Sequence, residues 1–256
     1  MNIVVLTKFV PERAGRPPEI GPDFRLRRES GDGGLDCVDE PGLAIARRLA
    51  DAVDGTVTAL SMGPERAVNA LYRALATGAD RAILVTDDAI GGADALATAR
   101  ILAAAIEREP YDLVIAGVES SDGSTGTMPM ALAQLLGIPS ATFARRLLLN
   151  EGNVEIERQT AVGYDVIECP LPALVTVTAG VAEPRYPSAK QMIQARRKPM
   201  VRRSLADLGI DPELAVPAQE VTAIEFGLER QSGELVEDPA EAPARILQLL
   251  TKAKVV

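Results

Sequence analysis

Over roughly the first 140 residues, short runs of β-branched and apolar residues alternate with segments whose apolar residues return every three to four positions. This alternation leaves few folds open. Strands separated by helices join one sheet through crossover connections, so the chain is constrained to a parallel sheet with helices on both faces. The expected strands are Ile3 to Thr7, Thr56 to Ser61, Ala82 to Val85 and Leu113 to Ala116, each followed by turn residues. Leu43, Leu49 and Val53 mark the inner side of a first helix. Ala67, Ala70, Leu71, Ala74 and Leu75 mark a second, and Leu96, Ala99, Ala103 and Ile106 a third. A fourth should run from Met130 to Leu136 and stop at Gly137, with Pro139 beyond it.

Residues 9 to 36 are rich in proline and glycine, with a short polar-apolar alternation around Phe24 to Arg27, and form a long excursion between the first strand and first helix. Loops this long are functional or disordered. From Thr142 the period becomes two: Arg145 to Leu149 and Val154 to Glu157 flank Asn150, Glu151 and Gly152, which predicts an antiparallel hairpin. Leu174 to Val177 is a further buried strand. After residue 204 there are ten Asp/Glu against four Lys/Arg and no strong periodicity until Ala240 to Leu250. The expected organisation is an α/β domain over 1–203 and an arm over 204–256 that ends in one amphipathic helix.

Composition excludes several chemistries. Cys37 and Cys169 are the two thiols and histidine is absent, so zinc clusters, Cys/His sites and the Ser-His-Asp triad are ruled out. No metal ligand set and no catalytic residue emerge. A net charge of -9 argues against a nucleic-acid groove. No stretch approaches the roughly 20 apolar residues of a spanning helix. The start, MNIVVLTKFVPE, reads as a buried strand rather than a signal peptide, and the expectation is a cytoplasmic chain without membrane insertion.

Asp122-Gly123-Ser124-Thr125-Gly126-Thr127 is the sharpest loop, lying between the fourth strand and the fourth helix. In open parallel sheets ligands bind beyond the carboxyl ends of strands, where a glycine-containing turn and a helix N-terminus offer N–H groups to a phosphate. From spacing alone it reads equally as an ordinary βα turn with a Ser/Thr cap. Neither G-x-G-x-x-G after the first strand nor G-x-x-x-x-G-K-[ST] occurs. Ser61-Met62-Gly63-Pro64 could face a planar base, though a tight connection fits it better. Asp36-Cys37-Val38-Asp39-Glu40 sets acids before the first helix, as capping or as a ligand contact. Nothing beside Cys37 lowers its pKa, and Cys169 reads as a small residue of a strand before Pro170. From Arg185 to Arg203 there are seven Lys/Arg and no acid, and Pro184 and Pro187 bracket Arg185-Tyr186. That segregation reads as a contact surface for an acidic partner, against the alternative of a solvated basic face.

Five segments, in order, resemble the β subunit of electron-transferring flavoprotein: Ile3 to Pro11 with Lys8; Asp39-Glu40; Ser61 to Arg66 followed by Ala74 to Arg81; Asp122 to Gly126; and Glu183-Pro184-Arg185-Tyr186-Pro187-Ser188. The resemblance implies an adenine-nucleotide α-hydrolase-like α/β domain paired with an α subunit. It implies a structural AMP in this subunit, with the redox FAD mainly in the α subunit, or a second FAD here in an electron-bifurcating branch. By position, the nucleotide would meet Leu6, Asp36, Cys37, Val38, Asp39, Met62 and the loop Asp122, Gly123, Ser124, Thr125, Gly126 and Thr127. Two departures lie in this set: Asp36 where relatives commonly carry Asn, and Glu119-Ser120-Ser121 where they carry Gln-Ala-Ile. The segment Glu183, Pro184, Arg185, Tyr186, Pro187, Ala189, Lys190, Met192, Arg196 and Arg197 corresponds to the loop that docks flavin-dependent dehydrogenases. Ala189 stands there in place of a leucine anchor and Lys190 in place of a proline, which either passes the anchor role to Met192 or weakens the affinity, with a different set of partners. A quinone oxidoreductase is the implied acceptor. Two other readings compete: a stand-alone, stress-type adenine-nucleotide binder, and a small-molecule enzyme using Asp122 and Glu119.

Overall fold

The computed structural model describes residues 1–11, 19–27, 33–225, 233 and 235–255. They fall into two compact units, Met1–Val221 and Thr222–Val256. The first unit begins with β1 (Asn2–Leu6), the short strands β2 (Phe9–Pro11) and β3 (Gly33–Leu35), and α1 (Glu40–Ala52). Then come β4 (Thr56–Met62), α2 (Val68–Thr77), β5 (Arg81–Val85), α3 (Ala95–Ile106), β6 (Leu113–Gly117) and α4 (Met128–Leu136). β7 (Ser140–Asn150), β8 (Asn153–Gln159), β9 (Tyr164–Pro170) and β10 (Ala173–Val177) follow, then α5 (Ala189–Ala195), β11 (Met200–Arg203) and α6 (Leu205–Leu208).

One nine-stranded sheet has the order β11-β5-β4-β1-β6-β10-β7-β8-β9. The strands from β11 to β7 pair in parallel, and β8 and β9 continue the sheet antiparallel. Side chains alternate between two cores. Ile3 and Val5 of β1 join Leu43, Ile45, Leu71 and Leu75 of α1 and α2; Val4 and Leu6 join Ile101, Ile106 and Leu132 of α3 and α4. Burial on both faces is why the inner strands read as unbroken apolar runs.

The four early strands, four helices and the hairpin around Asn150–Asn153 occupy their expected positions. Gly137 ends α4 in the left-handed conformation, at φ 65°. Val53 and Leu96, assigned above to inner helix faces, are 46% and 39% exposed; Val53 lies past α1 as its C-cap, and Leu96 lies in the first turn of α3. β11 is an addition, and β9 extends the strand expected at Cys169 before Pro170 back to Tyr164. β9 carries Asp165 and Glu168 within a partly exposed antiparallel strand, and β11 is a four-residue edge strand whose arginines masked its pairing with β5. Within the 9–36 excursion β2 pairs with β3, and Ile20 bridges Leu26 around the predicted alternation.

The boundary at 203 moves. Leu205 and Leu208 of α6, and Ala215 in the 3-10 turn Pro212–Ala215, are buried in the α3 core, so the first unit continues to Val221. The second unit holds α7 (Ala242–Lys252), on which Ile246, Leu247 and Leu249 are at least half exposed. Among the described residues no helix is long and apolar enough to cross a membrane.

Candidate functional site

After β1 the chain winds to β4 and β5 on one side, then returns to β6 on the other. The connections leaving β1 and β6 therefore diverge to opposite faces, which makes this the switch point, beyond whose carboxyl ends sheets of this kind bind ligands in a crevice. Three loops meet there. Lys8, just past β1, donates its backbone N–H to Asp39 Oδ2 at 2.7 Å, and its ammonium reaches Asp122 Oδ1 at 2.6 Å and Ser120 Oγ at 3.0 Å. Asp36 accepts the Ser121 N–H at 2.8 Å and donates its own N–H to the Lys8 carbonyl at 2.9 Å. Lys8 is not among the expected site residues; its signal in the sequence is a lone cation directly after the first strand.

Three carboxylates at this crevice, Asp36, Asp39 and Asp122, belong to the scaffold, whereas Glu119 is exposed with its Oε2 3.8 Å from where a Cβ on Gly126 would lie. Asp36 is fully buried, Asp39 is 7% exposed and the Asp122 side chain 1%. Asp36 replaces the expected asparagine without presenting its charge to solvent, because its oxygen takes the Ser121 N–H. Neither acid acts as a simple helix cap, since Asp39 occupies the α1 N-cap position without a side-chain cap bond. A Cβ on Gly117 would come within 3.0 Å of Asp39 Oδ1, so glycine is what lets the pre-helix loop close onto β6.

Donors point the other way. Thr125 and Thr127 are exposed; Ser124 is exposed too, but its hydroxyl donates back to the Ser120 carbonyl at 3.2 Å. Among the described residues, no acceptor takes the backbone N–H groups of Thr125, Gly126 and Thr127, and Thr127 gives α4 no side-chain cap. Gly123 and Ser124 turn back onto Ser120, and Ser124 and Gly126 have φ of 46° and 63°. The result is a rim of hydroxyls and helix-terminal N–H groups, suited to an anion, above an inward-facing acid scaffold.

The remaining predicted site residues lie nearby or elsewhere. Cys37 is exposed, and partial burial followed by the Asp36 charge pushes its thiol up, away from reactivity. Val38 is half-buried. The Leu6 side chain is in the core, so any ligand contact it makes is through its backbone. Met62 ends β4, beside β1 in the sheet, and packs partly on the same core.

Burial, and then the Asp36 charge, holds the Asp39 carboxyl well above the usual carboxylate range. A carboxyl raised by folding binds its proton more tightly when folded. Its contribution is full below the unfolded pKa and is lost as pH rises through the folded value. Asp39→Asn keeps an acceptor for the Lys8 N–H. Wild type should therefore lose stability relative to Asp39→Asn as pH rises from the ordinary Asp pKa of about 4 toward neutrality. Parallel melting curves across that range would contradict the assignment.

The 183–197 segment lies apart from the crevice. It leaves β10 after the 3-10 turn Ala179–Val181, crosses the α1/α2 face and enters β11. Glu183, Arg185, Tyr186, Ala189, Lys190, Arg196 and Arg197 are exposed, and Pro184 and Pro187 are half-buried. Ser188 and Gln191 close a capping box at the start of α5. Met192 is half-buried against the core, so it does not offer a projecting anchor; Ile193, 62% exposed, does. The basic run also divides. Lys198 donates to the Leu75 and Ala79 carbonyls at 2.8 and 2.6 Å, with burial pulling its ammonium pKa down. Arg202 pairs with Glu65, and Arg203 with Glu109, which Arg81 also engages. Burial opposes the Glu109 charge, but the two arginines outweigh it and hold the carboxyl below its usual range. Arg185, Lys190, Arg196 and Arg197 remain as the outward-facing cations of this segment.

Fold and loops define an open, doubly wound α/β protein with a crevice built at its switch point. Residues 24–208 match the family model described as the Electron transfer flavoprotein domain. The chain is 36% identical over 264 residues to "Electron transfer flavoprotein subunit beta" of Mycobacterium tuberculosis (strain H37Rv), covering 100% of this chain and 99% of that one. It is 33% identical over 221 residues to the Bacillus subtilis protein of the same name, covering 85% and 86%. It is also 35% identical over 217 residues to "Caffeyl-CoA reductase-Etf complex subunit CarD" of Acetobacterium woodii, covering 83% and 82%. The chain belongs to the electron transfer flavoprotein family, among its β subunits.

Proposed function

We propose that this chain pairs with an electron transfer flavoprotein α subunit, holds one AMP in the β1/β6 crevice, and docks flavin-dependent dehydrogenases through residues 183–197. The observation that supports the nucleotide reading is the division of labour at the crevice: Asp36, Asp39 and Asp122 turned inward onto Lys8 and Ser121, against exposed Thr125 and Thr127 and the N–H groups of residues 125–127, which no acceptor among the described residues takes. Ser124, Thr125 and Thr127 with the α4 N-terminus would hold the phosphate. The 36–39 loop would flank the ribose and Met62 the base. AMP has no redox role; an FAD held mainly by the α subunit would supply the flavin that stores the electrons. This chain's part is then to order the crevice and present the docking segment, with a quinone oxidoreductase as acceptor.

The test is to co-purify the chain with its α subunit, denature the complex and identify the released nucleotides. One AMP and one FAD per heterodimer are expected. Two FAD would favour the bifurcating arrangement, and a homo-oligomer that retains ATP without an α subunit would favour the stress-type binder. A chain ending at Val221 should keep its fold and lose α-subunit affinity, because the exposed apolar side of α7 suits burial on a partner. Cutting at 203 would remove core residues Leu205, Leu208 and Ala215, so 221 is the informative point. Unchanged affinity in a titration of the shortened chain would rule out this role for the arm.

A further inference from the structure

Two adjacent residues of α2 reach the docking segment with opposite chemistry. The Arg196 guanidinium lies over the Tyr72 ring, 5.6 Å from its centroid, and the Arg73 guanidinium lies over the Tyr186 ring at 5.9 Å. The base of Arg73's position is fixed: it donates to Glu40 Oε1 at 3.2 Å, and Glu40 opens α1 directly after the buried Asp39. Arg196 sits on α5's C-cap, where the capping box, buried Ala195 and half-buried Met192 already hold the backbone.

Tyr186 has no such support. Residues 182–187 form neither helix nor strand, and Tyr186 is 81% exposed. A groove of about 270 Å³, lined by Thr77, Asp80, Tyr186, Pro187, Gln194 and Lys198, separates this stretch from the end of α2. Pro184 and Pro187 limit the backbone but do not seat the ring. Among the described residues, the Arg73 stack is the ring contact that Tyr186 makes.

We infer that Arg73, braced by Glu40, is a positioning residue for docking: it fixes the Tyr186 ring and with it the form in which residues 183–187 meet the dehydrogenase. The inference rests on the docking reading above. An aromatic side chain held in its bound orientation loses less freedom on association, and an exposed cation–π contact corresponds to a factor of about two to five.

The test uses the intact αβ complex and a flavin dehydrogenase of the same organism, reduced by its own substrate and mixed in stopped flow. Arg73 also contributes charge, so the variants are read at low ionic strength and at about 0.5 M salt, where the Debye length has shrunk to a few ångströms. Arg73→Ala should still slow electron acceptance about two- to fivefold at high salt, with Arg73→Lys recovering part of the loss. Glu40→Gln should act in the same direction, and Arg73→Ala should add nothing in a Tyr186→Leu background. Nucleotide content should be unchanged throughout. An Arg73→Ala effect that vanishes at high salt, or that adds fully to Tyr186→Leu, overturns the inference while leaving docking intact. A dehydrogenase indifferent to Arg196→Glu/Arg197→Glu at low salt overturns the docking reading and this inference with it. If Arg73→Ala does not fold, Arg73→Gln carries the same cycle.

Discussion

Lys8→Met should lower the stability of this chain by about 2–3 kcal/mol and release the nucleotide from the crevice. The Lys8 ammonium, 2.6 Å from Asp122 Oδ1, offsets a carboxylate whose side chain is 1% exposed, and it also ties Ser120 to the scaffold. Taking away one partner of a buried charge contact costs far more than the contact is worth net. Lys8 is itself about one-third exposed, which brings the loss somewhat below the roughly 3–5 kcal/mol of fully buried pairs. Asp122→Asn in the same chain should restore a good part of the stability by removing the charge. It should not restore the nucleotide, since the loop from 119 to 127 would still lack the tie that aims its N–H groups outward. Denaturant unfolding and mass spectrometry of released nucleotide read the two effects separately. Full nucleotide occupancy in Lys8→Met would remove this crevice as the binding site.

Arg196→Glu together with Arg197→Glu should slow electron acceptance from a flavin dehydrogenase at least about tenfold at low ionic strength, and the difference should shrink as salt is added. Under the docking proposal these two adjacent arginines would steer the partner together with Arg185 and Lys190, since the other cations of the basic run are engaged: Lys198 on the carbonyls ending α2, Arg202 on Glu65, Arg203 on Glu109. Ile193→Glu tests the apolar anchor. At 62% exposure it can be changed without opening the core, whereas Met192→Glu would drive a carboxylate against the α1/α2 side and confuse docking with folding. Equal stopped-flow rates for the double arginine variant and wild type at low salt would eliminate residues 183–197 as the docking surface.

The inner sheet was legible because burial on both faces leaves a strong mark. Ile3 to Thr7 and Leu113 to Ala116 read as strands since nothing polar interrupts them, and Gly137 marked the end of α4 through its left-handed conformation. Of β9 only the end was legible, Cys169 reading as a small residue of a strand before Pro170, and β11 was not, because one partly solvated hairpin strand and one four-residue edge strand carry charged residues that local pattern assigns to loops. The 204–221 stretch was misassigned to the arm for a related reason. Its core contacts come from Leu205, Leu208 and Ala215, spaced across a short helix and a turn with no sustained period.

The loops of the crevice were found from their place after strands and before helices. Their chemistry was not. Sequence set Asp36 and Glu119 as departures near an anion; the fold turns Asp36, with Asp39 and Asp122, inward onto N–H groups and Lys8, and leaves Glu119 exposed. Whether an acid faces a ligand or a backbone donor is a tertiary fact, invisible to spacing. The basic segment carried the same ambiguity, resolved by which cations find internal acceptors.

The most direct test of the account is flavin reduction in the reconstituted complex. The α subunit, loaded with FAD, is mixed with a substrate-reduced flavin dehydrogenase, with and without this chain, and flavin absorbance is followed by stopped flow. The account predicts rapid reduction when this chain is present, and loss of most of that rate when it carries Arg196→Glu and Arg197→Glu. Reduction of the α subunit's flavin at the same rate without this chain would contradict it.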